Sequence, residues 1–448
     1  MATFDGFQDS VRKVIHARQI ARMKELKPPE DEATKERRSI RRRSFQTLVK
    51  KVVQTQSTIR SIDHRTRPKH VLYPSRSRSC IRQVPVMGGV PITSDTATEL
   101  RVQVFGSADL LTYPLSEWLG HPFSFHDADT ALAYGLKVPN SSTKGLVMCV
   151  QAFILKHLLF SSYKLGSVGD IPRLLRTTRK AQIDALVAAL SDILWKAGER
   201  QHAVLCLTND DIYINEDPSY LDDGCTEKIV CLEFEKYEEL KFSIKTYLFE
   251  LVCENGHGLL LFLYSVILTR TFRRLAEDLD GDRQSLALTN TIHPCLATLL
   301  LTGRATRHLH NGIIYEGSEH TMSVPKTGTL TRAEVGLLVW KRKEDSEEVK
   351  VGSRLKTPTF PIWVTRFNDS YGVLFNPNKD LIRDYHAENR FDLYYYSSNT
   401  SQTAATVLTI NTRHQTTRKE RQYPPIEKII HTKWQGADVN WNGTVPYV

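Results

Sequence analysis

Apolar positions along the chain change rhythm twice. Over residues 4–27 they recur loosely at helical period, at Phe4, Phe7, Val11, Ile15, Ile20 and Met23, and Pro28-Pro29 closes the run, so a short amphipathic helix is predicted there. From there to about residue 80 apolar side chains are too sparse to build a core, and the segment reads as a disordered tail. Order is predicted beyond it. "ELRVQVFG" reads as a strand and leads into the aromatic loop "YPLSEWLGHPFSFHD". "VPNSSTKGLVMCVQAFILKHLLF" then passes from small polar residues into almost unrelieved apolar ones, which predicts a buried central helix with its N-terminus presented by a loop. "TRKAQIDALVAALSDILWKAG" places Ile183, Leu186, Val187, Leu190, Ile193 and Leu194 at helical spacing before a glycine stop. "AVLCLT" and "KIVCLEF" read as short strands, and residues 237–282 as helical with a break at Gly256 and Gly258. Beyond Leu337 the texture becomes "VGLLVW", "TFPIWVTRF", "YGVLF", "FDLYYY" and "TVLTINT", strand-like runs separated by Asn, Asp, Gly and Pro. Helices first and strands later predict an α+β domain over residues 90–448, behind a tail of residues 1–85.

Charge changes the picture of the tail and little else. Residues 1–80 hold 20 Lys or Arg against 8 Asp or Glu, a surplus of 12, while the whole chain holds 60 against 50, so the other 368 residues sum to −2. A basic tail of this kind can touch nucleic acid or an acidic membrane, or be only a solvated linker, and the linker is the plainest reading. Arg12, Lys13 and Arg18 interrupt the region where the apolar part of a secretory signal would lie. The longest apolar run, 258–269, is shorter than the roughly 20 residues that span a bilayer. An intracellular protein is expected, cytoplasmic, with "KERRSIRRR" leaving a nuclear fraction open. The seven cysteines are odd in number, scattered and without a CxxC pair, so reduced, mostly buried thiols are expected.

Several apparent motifs carry no chemistry. Lys144-Gly145 lacks the glycines and the Lys-Ser/Thr order of a phosphate loop. "DLDGDRQS" imitates a calcium loop, but its glycine comes too early and Thr289 stands where a bidentate Glu is needed. His308, His310 and the nearby His320 lack a cysteine or second His pair that would make a metal site, and read as surface loop. No cofactor is expected.

The central helix block is different. "VQAFILKHLLF", with "GLLLFLYSVILTRT", "LLLTGRAT", "LKTPTFPIWVTR", "YGVLF", "FDLYYY" and "PPIEKIIHTKWQGADVNWNGTVP", resembles the MINDY deubiquitinases, in order over residues 118–446. The resemblance implies a papain-like cysteine protease fold that cleaves lysine-48-linked polyubiquitin, with ubiquitin as partner. It also implies a Cys at the helix N-terminus after Gly-Gly-Pro, a His base from a strand and an upstream Gln for the oxyanion. A helix dipole and a neighbouring imidazolium would lower the pKa of such a thiol.

Carried over residue by residue, Gly-Gly-Pro-Cys falls on Ser141-Ser142-Thr143-Lys144, the Gln on Val138 and the His on Ser370. None of the three roles is filled in that register. Cys149 lies five residues further on, about 7.5 Å at 1.5 Å per residue, and reads as a packed core thiol. Lys144, a cation at a helix N-terminus, is expected to point into solvent. The expectation is therefore a protein that is not an enzyme but binds or scaffolds, with ubiquitin chains the first ligand. Cleavage through an unforeseen thiol and binding of acidic partners by the basic tail are the alternatives.

Overall fold

A computed structural model describes residues 85–446 except 107–114, 139–140, 161–170, 215–219, 255, 283–284, 288–290, 318–323, 342–349, 400 and 416–422. The predicted helix at 4–27 and the basic tail lie outside the described residues, which belong to one compact unit, Arg76–Val448.

In chain order, β1 (Val90–Pro91) precedes helix α1 (Ser94–Phe105), and β2 (Ser124–Phe125) pairs with β3 (Leu136–Lys137) ahead of the central helix α2 (Lys144–Phe160). Helix α3 (Arg179–Ala197), β4 (Ala203–Thr208), β5 (Ile229–Phe234), α4 (Tyr237–Thr246), α5 (Gly258–Arg270) and α6 (Pro294–Thr302) follow. The chain then forms a hairpin of β6 (Ile313–Glu316) and β7 (Val324–Thr327), and β8 (Gly336–Trp340), β9 (Ile362–Phe367), β10 (Ser370–Phe375), β11 (Arg390–Tyr396) and β12 (Thr406–Gln415). Helix α7 (Pro425–His431) and β13 (Ala437–Asn440) complete it.

A six-stranded sheet ordered β13-β12-β11-β10-β9-β8 is antiparallel except between β8 and β9. Its two faces are both covered, which is why its strands read as nearly continuous apolar runs. On one face Trp363, Leu374, Leu393, Tyr395, Leu408 and Ile410 pack with Ile426, Ile429, Ile430 and Trp434 of α7 and its exit. On the other, Tyr371, Val373 and Phe375, at the strand period of two, face α2, which also packs against α3 and α6. Helix α2 is buried nearly all round, Leu146 to Lys156 without a break. A smaller antiparallel sheet, β1-β5-β4, lies along α5. The architecture is mixed α/β.

"ELRVQVFG" is not a strand but the second half of α1. The Thr93 hydroxyl accepts the Thr96 N–H at its start, and Gly106, at φ 84°, caps its end. Ala97, Leu100 and Val104, three to four residues apart, form the buried stripe. Alternation within "LRVQVF" imitated a strand because Arg101 and Gln103 are themselves buried, Arg101 on the Asp223 carboxylate at 2.8 Å. Among the described residues five cysteines are free and Cys253 is disulfide-bonded, which corrects the expectation of reduced thiols throughout. An odd count without CxxC carries no information about pairing across the fold.

Candidate functional site

The loop entering α2 is held from outside the helix. The Glu117 carboxylate accepts the Ser142 N–H at 3.0 Å and the Ser142 hydroxyl at 2.8 Å, and the hydroxyls of Ser141 and Thr143 share a bond of 2.8 Å. Ser142 and Thr143 are fully buried. Small polar residues are what such a loop requires, since each replaces water with a local partner.

Helix α2 then begins on Lys144. Its side chain is half-buried rather than free in solvent, burial alone lowers its pKa, and it has no ion-pair partner among the described residues. Next to it, a Cβ on Gly145 would stand 2.5 Å from Ile292 Cγ1 and 3.0 Å from the Tyr371 ring. The glycine is therefore a close-approach position. It brings the N-terminus of α2, the segment leading into α6 and the start of β10 to one place. Lys144 and Ser370, far apart in sequence, each precede a residue of that contact.

Val138 is tied in separately. The Ser398 hydroxyl accepts its N–H at 3.0 Å and reaches its carbonyl at 3.4 Å. Val138 lines a cavity of about 420 Å³ together with His121, His126, Lys137, Ser398 and Gln402. The Tyr396 hydroxyl donates to the Leu136 carbonyl at 2.7 Å and lies 3.1 Å from His126 Nε2, so Nε2 carries the proton and Nδ1 is bare. Burial first, then the Lys137 charge, lowers the pKa of His126. Reasoning on the sequence missed His126 and the cavity, because no spacing announces a wall assembled from residues 121–138 and 398–402.

Sulfur chemistry is constrained by burial. Cys149 is fully enclosed, and burial pushes its thiol far above the ordinary range. Cys295 sits in the first turn of α6, where the ring of His293 accepts its N–H at 3.2 Å. Burial pushes the Cys295 thiol up to about 12, against the nearby Arg307, and pushes His293 down to about 4. Neutral thiol and neutral imidazole are the resting forms of both.

The metal candidates separate. His308 bonds Asp280 at 3.1 Å and stacks on His310, and His320 lies outside the described residues. In "DLDGDRQS", Asp278 binds Arg270 and Asp282 binds Arg307.

Comparison with known proteins sets this geometry in a family. The model described as "Deubiquitinating enzyme MINDY-3/4, conserved domain" matches residues 101–443. "Probable ubiquitin carboxyl-terminal hydrolase MINDY-4" of Xenopus tropicalis is 32% identical over 365 residues, 80% of this chain and 47% of that protein. The Homo sapiens protein of the same name is 32% identical over 363 residues, 80% of this chain and 46% of its own length. "Ubiquitin carboxyl-terminal hydrolase MINDY-3" of Bos taurus is 29% identical over 257 residues, 52% of this chain and 55% of that protein. The chain thus spans about half the length of the curated relatives it matches. No solved structure matches it. The expectation that the chain is not an enzyme is corrected by these findings: the relatives are named ubiquitin carboxyl-terminal hydrolases, and nothing in the comparison marks this chain as inactive. The chain belongs to the MINDY-3/4 family of deubiquitinating enzymes.

Proposed function

We propose that this chain works on ubiquitin chains, lysine-48-linked ones first, by laying a ubiquitin C-terminal tail across the N-terminus of α2. The observation that carries the reading is the convergence at Gly145, where α2, Ile292 and Tyr371 meet with the half-buried Lys144 at its edge. A lysine ammonium offers three donors, suited to the carbonyls of an extended peptide. Val138, Lys144 and Ser370 stand in this reading where the family's oxyanion donor, nucleophile and base fall. The papain-like arrangement belongs to the same proposal, with α2 as central helix and the six-stranded sheet as the wall behind it.

The test is a titration of the full chain with lysine-48-linked tetraubiquitin, lysine-63-linked tetraubiquitin and monoubiquitin, with gels run on the same samples. Saturable binding of the lysine-48-linked chain, weakened about tenfold or more by Lys144→Glu with no loss of melting temperature, is expected; tenfold corresponds to about 1.4 kcal/mol. Failure of every ubiquitin form to bind, or binding indifferent to Lys144→Glu, overturns it. Released monoubiquitin reports hydrolysis, and Cys149→Ala and Cys295→Ala then locate the thiol responsible.

A further inference from the structure

The small sheet carries two thiols in direct register. In the antiparallel pairing of β4 with β5, Cys206 stands opposite Cys231, so both side chains leave the same face. Strand β4 is the edge of the sheet, and its outward N–H groups are taken by α5: Val204 donates to Thr269 Oγ1 and Cys206 to Ser265 Oγ, both at 2.8 Å. A residue whose N–H points away from its partner strand belongs to a non-hydrogen-bonded pair. Such pairs are the closer kind, with Cα atoms about 4.5 Å apart, inside the roughly 4.4–6.8 Å that a disulfide spans. Both thiols are free.

Exposure distinguishes the two. Cys206 is fully buried, whereas Cys231 is partly exposed. Burial pushes the Cys206 thiol well up, so it keeps its proton and donates it to the Cys231 sulfur, and that hydrogen bond draws Cys231 below the ordinary thiol value. The partly exposed sulfur is the readier of the two to ionise, and the protected one stands directly across the strand pair from it.

We propose that Cys206 and Cys231 form a peroxide-responsive pair that closes into a cross-strand disulfide. In the first step the Cys231 thiolate attacks one oxygen of hydrogen peroxide, the O–O bond breaks, and the departing hydroxide takes up a proton to become water. Cys231 is then a sulfenic acid. In the second step the Cys206 sulfur attacks the Cys231 sulfur, the S–O bond breaks, and the hydroxyl leaves as water with the Cys206 proton. Two thiols lose two electrons and one peroxide becomes two waters. Access to Cys206 is not required, since only Cys231 meets the oxidant. The bond ties the middle of β4 to the middle of β5, at the residue that also pairs with Val90 of β1.

The test treats the reduced, full-length protein with equimolar hydrogen peroxide, alkylates it, and digests it with trypsin and an enzyme that cuts before Asp210, separating Cys206 from Cys225. A dithiothreitol-reversible cross-link between Cys206 and Cys231 is expected in the wild type and in Cys225→Ser, with a raised melting temperature. In Cys206→Ala, a sulfenic-acid probe should label Cys231; should that variant not fold, Cys231→Ala, at the partly exposed position, must leave Cys206 alkylatable only after unfolding. Persistence of both thiols in the wild type, oxidation of Cys231 to sulfinic acid without a cross-link, or a link from Cys206 to Cys225 overturns the proposal.

Discussion

Burial and titration meet most sharply at His293. As N-cap of α6 it accepts the Cys295 N–H with ring Nδ1, which requires an unprotonated nitrogen, and burial pushes its pKa down to about 4. Protonation removes the acceptor and places a cation at a helix N-terminus, where charge of that sign is unfavourable. Because the folded pKa lies below the unfolded value of about 6.5, the unfolded state binds the extra proton first. Stability from this residue is complete above that value and is lost as the pH falls toward 4. His293→Asn keeps a capping acceptor without the titration. We expect its melting temperature to match the wild type at pH 7.5 and to fall less steeply between pH 6.5 and 4 in scanning calorimetry; parallel curves would remove His293 from the account.

Lys144 poses the opposite problem, since the sequence shows its identity but not its surroundings. A cation at the N-terminus of α2 costs roughly 0.3–1 kcal/mol. Half-burial adds to this, as the lowered pKa records. Lys144→Gln should therefore stabilise the fold by about 0.5 kcal/mol while weakening ubiquitin binding, a split between stability and function that urea denaturation and the titration above read separately. A lysine kept only for packing would lose stability and leave binding alone.

At the scale of elements, periodicity proved dependable where one face is apolar and misleading where polar residues are buried. Helix α3 was legible from six apolar positions, and β9 to β11 from runs bounded by turn residues. Helix α1 was not, because Arg101 looks solvent-facing until Asp223, more than a hundred residues on, neutralises it. Gly145 was similarly opaque: its packing partners, Ile292 and Tyr371, come from two other parts of the chain. Gly145→Ala sets two effects against each other. Helix propensity favours alanine by about 1 kcal/mol in a helix interior and by less in the first turn. The new methyl meets Ile292, a fully buried side chain, at 2.5 Å, and overpacking of that kind costs typically about 1–3 kcal/mol. The clash should win. We expect a lower urea midpoint at unchanged slope, and a smaller loss when Gly145→Ala is made in an Ile292→Ala background, where the clashing Cγ1 is gone.

The whole molecule depends on a charge cluster that no local window discloses. "FILKHLLF" places Lys156 in a strongly apolar stretch of the chain, where a lysine looks like an error. In the fold its ammonium lies 2.6 Å from Asp192 and 3.5 Å from Glu334, and Glu334 also holds Lys196 at 2.8 Å. Asp192 further accepts from Tyr237 at 2.7 Å and bonds His157 at 2.8 Å. The cluster thereby joins α2, α3, α4 and the residue two before β8, elements that bring the helical first half against the strand-rich second half. Burial opposes ionisation of Asp192, but His157 and Lys156 outweigh it, and the carboxyl is held well below the usual range. A depressed carboxylate contributes stability above its unfolded pKa and loses it as the pH falls through the folded one. Removing Lys156 leaves Asp192 with only His157 and Tyr237, and Glu334 with only Lys196. Lys156→Met should cost about 1–3 kcal/mol, the range of a lost hydrogen bond to a charged group, against roughly 0–1 kcal/mol for an exposed pair. Met fills nearly the same volume, so a loss of that size in urea denaturation belongs to the charge and not to a cavity, and Asp192→Asn in the Lys156→Met background should recover part of it. If the double variant is instead as unstable as the two losses added, the groups act independently, and the junction between the two halves rests on apolar packing of α2 against β9 and β10 alone.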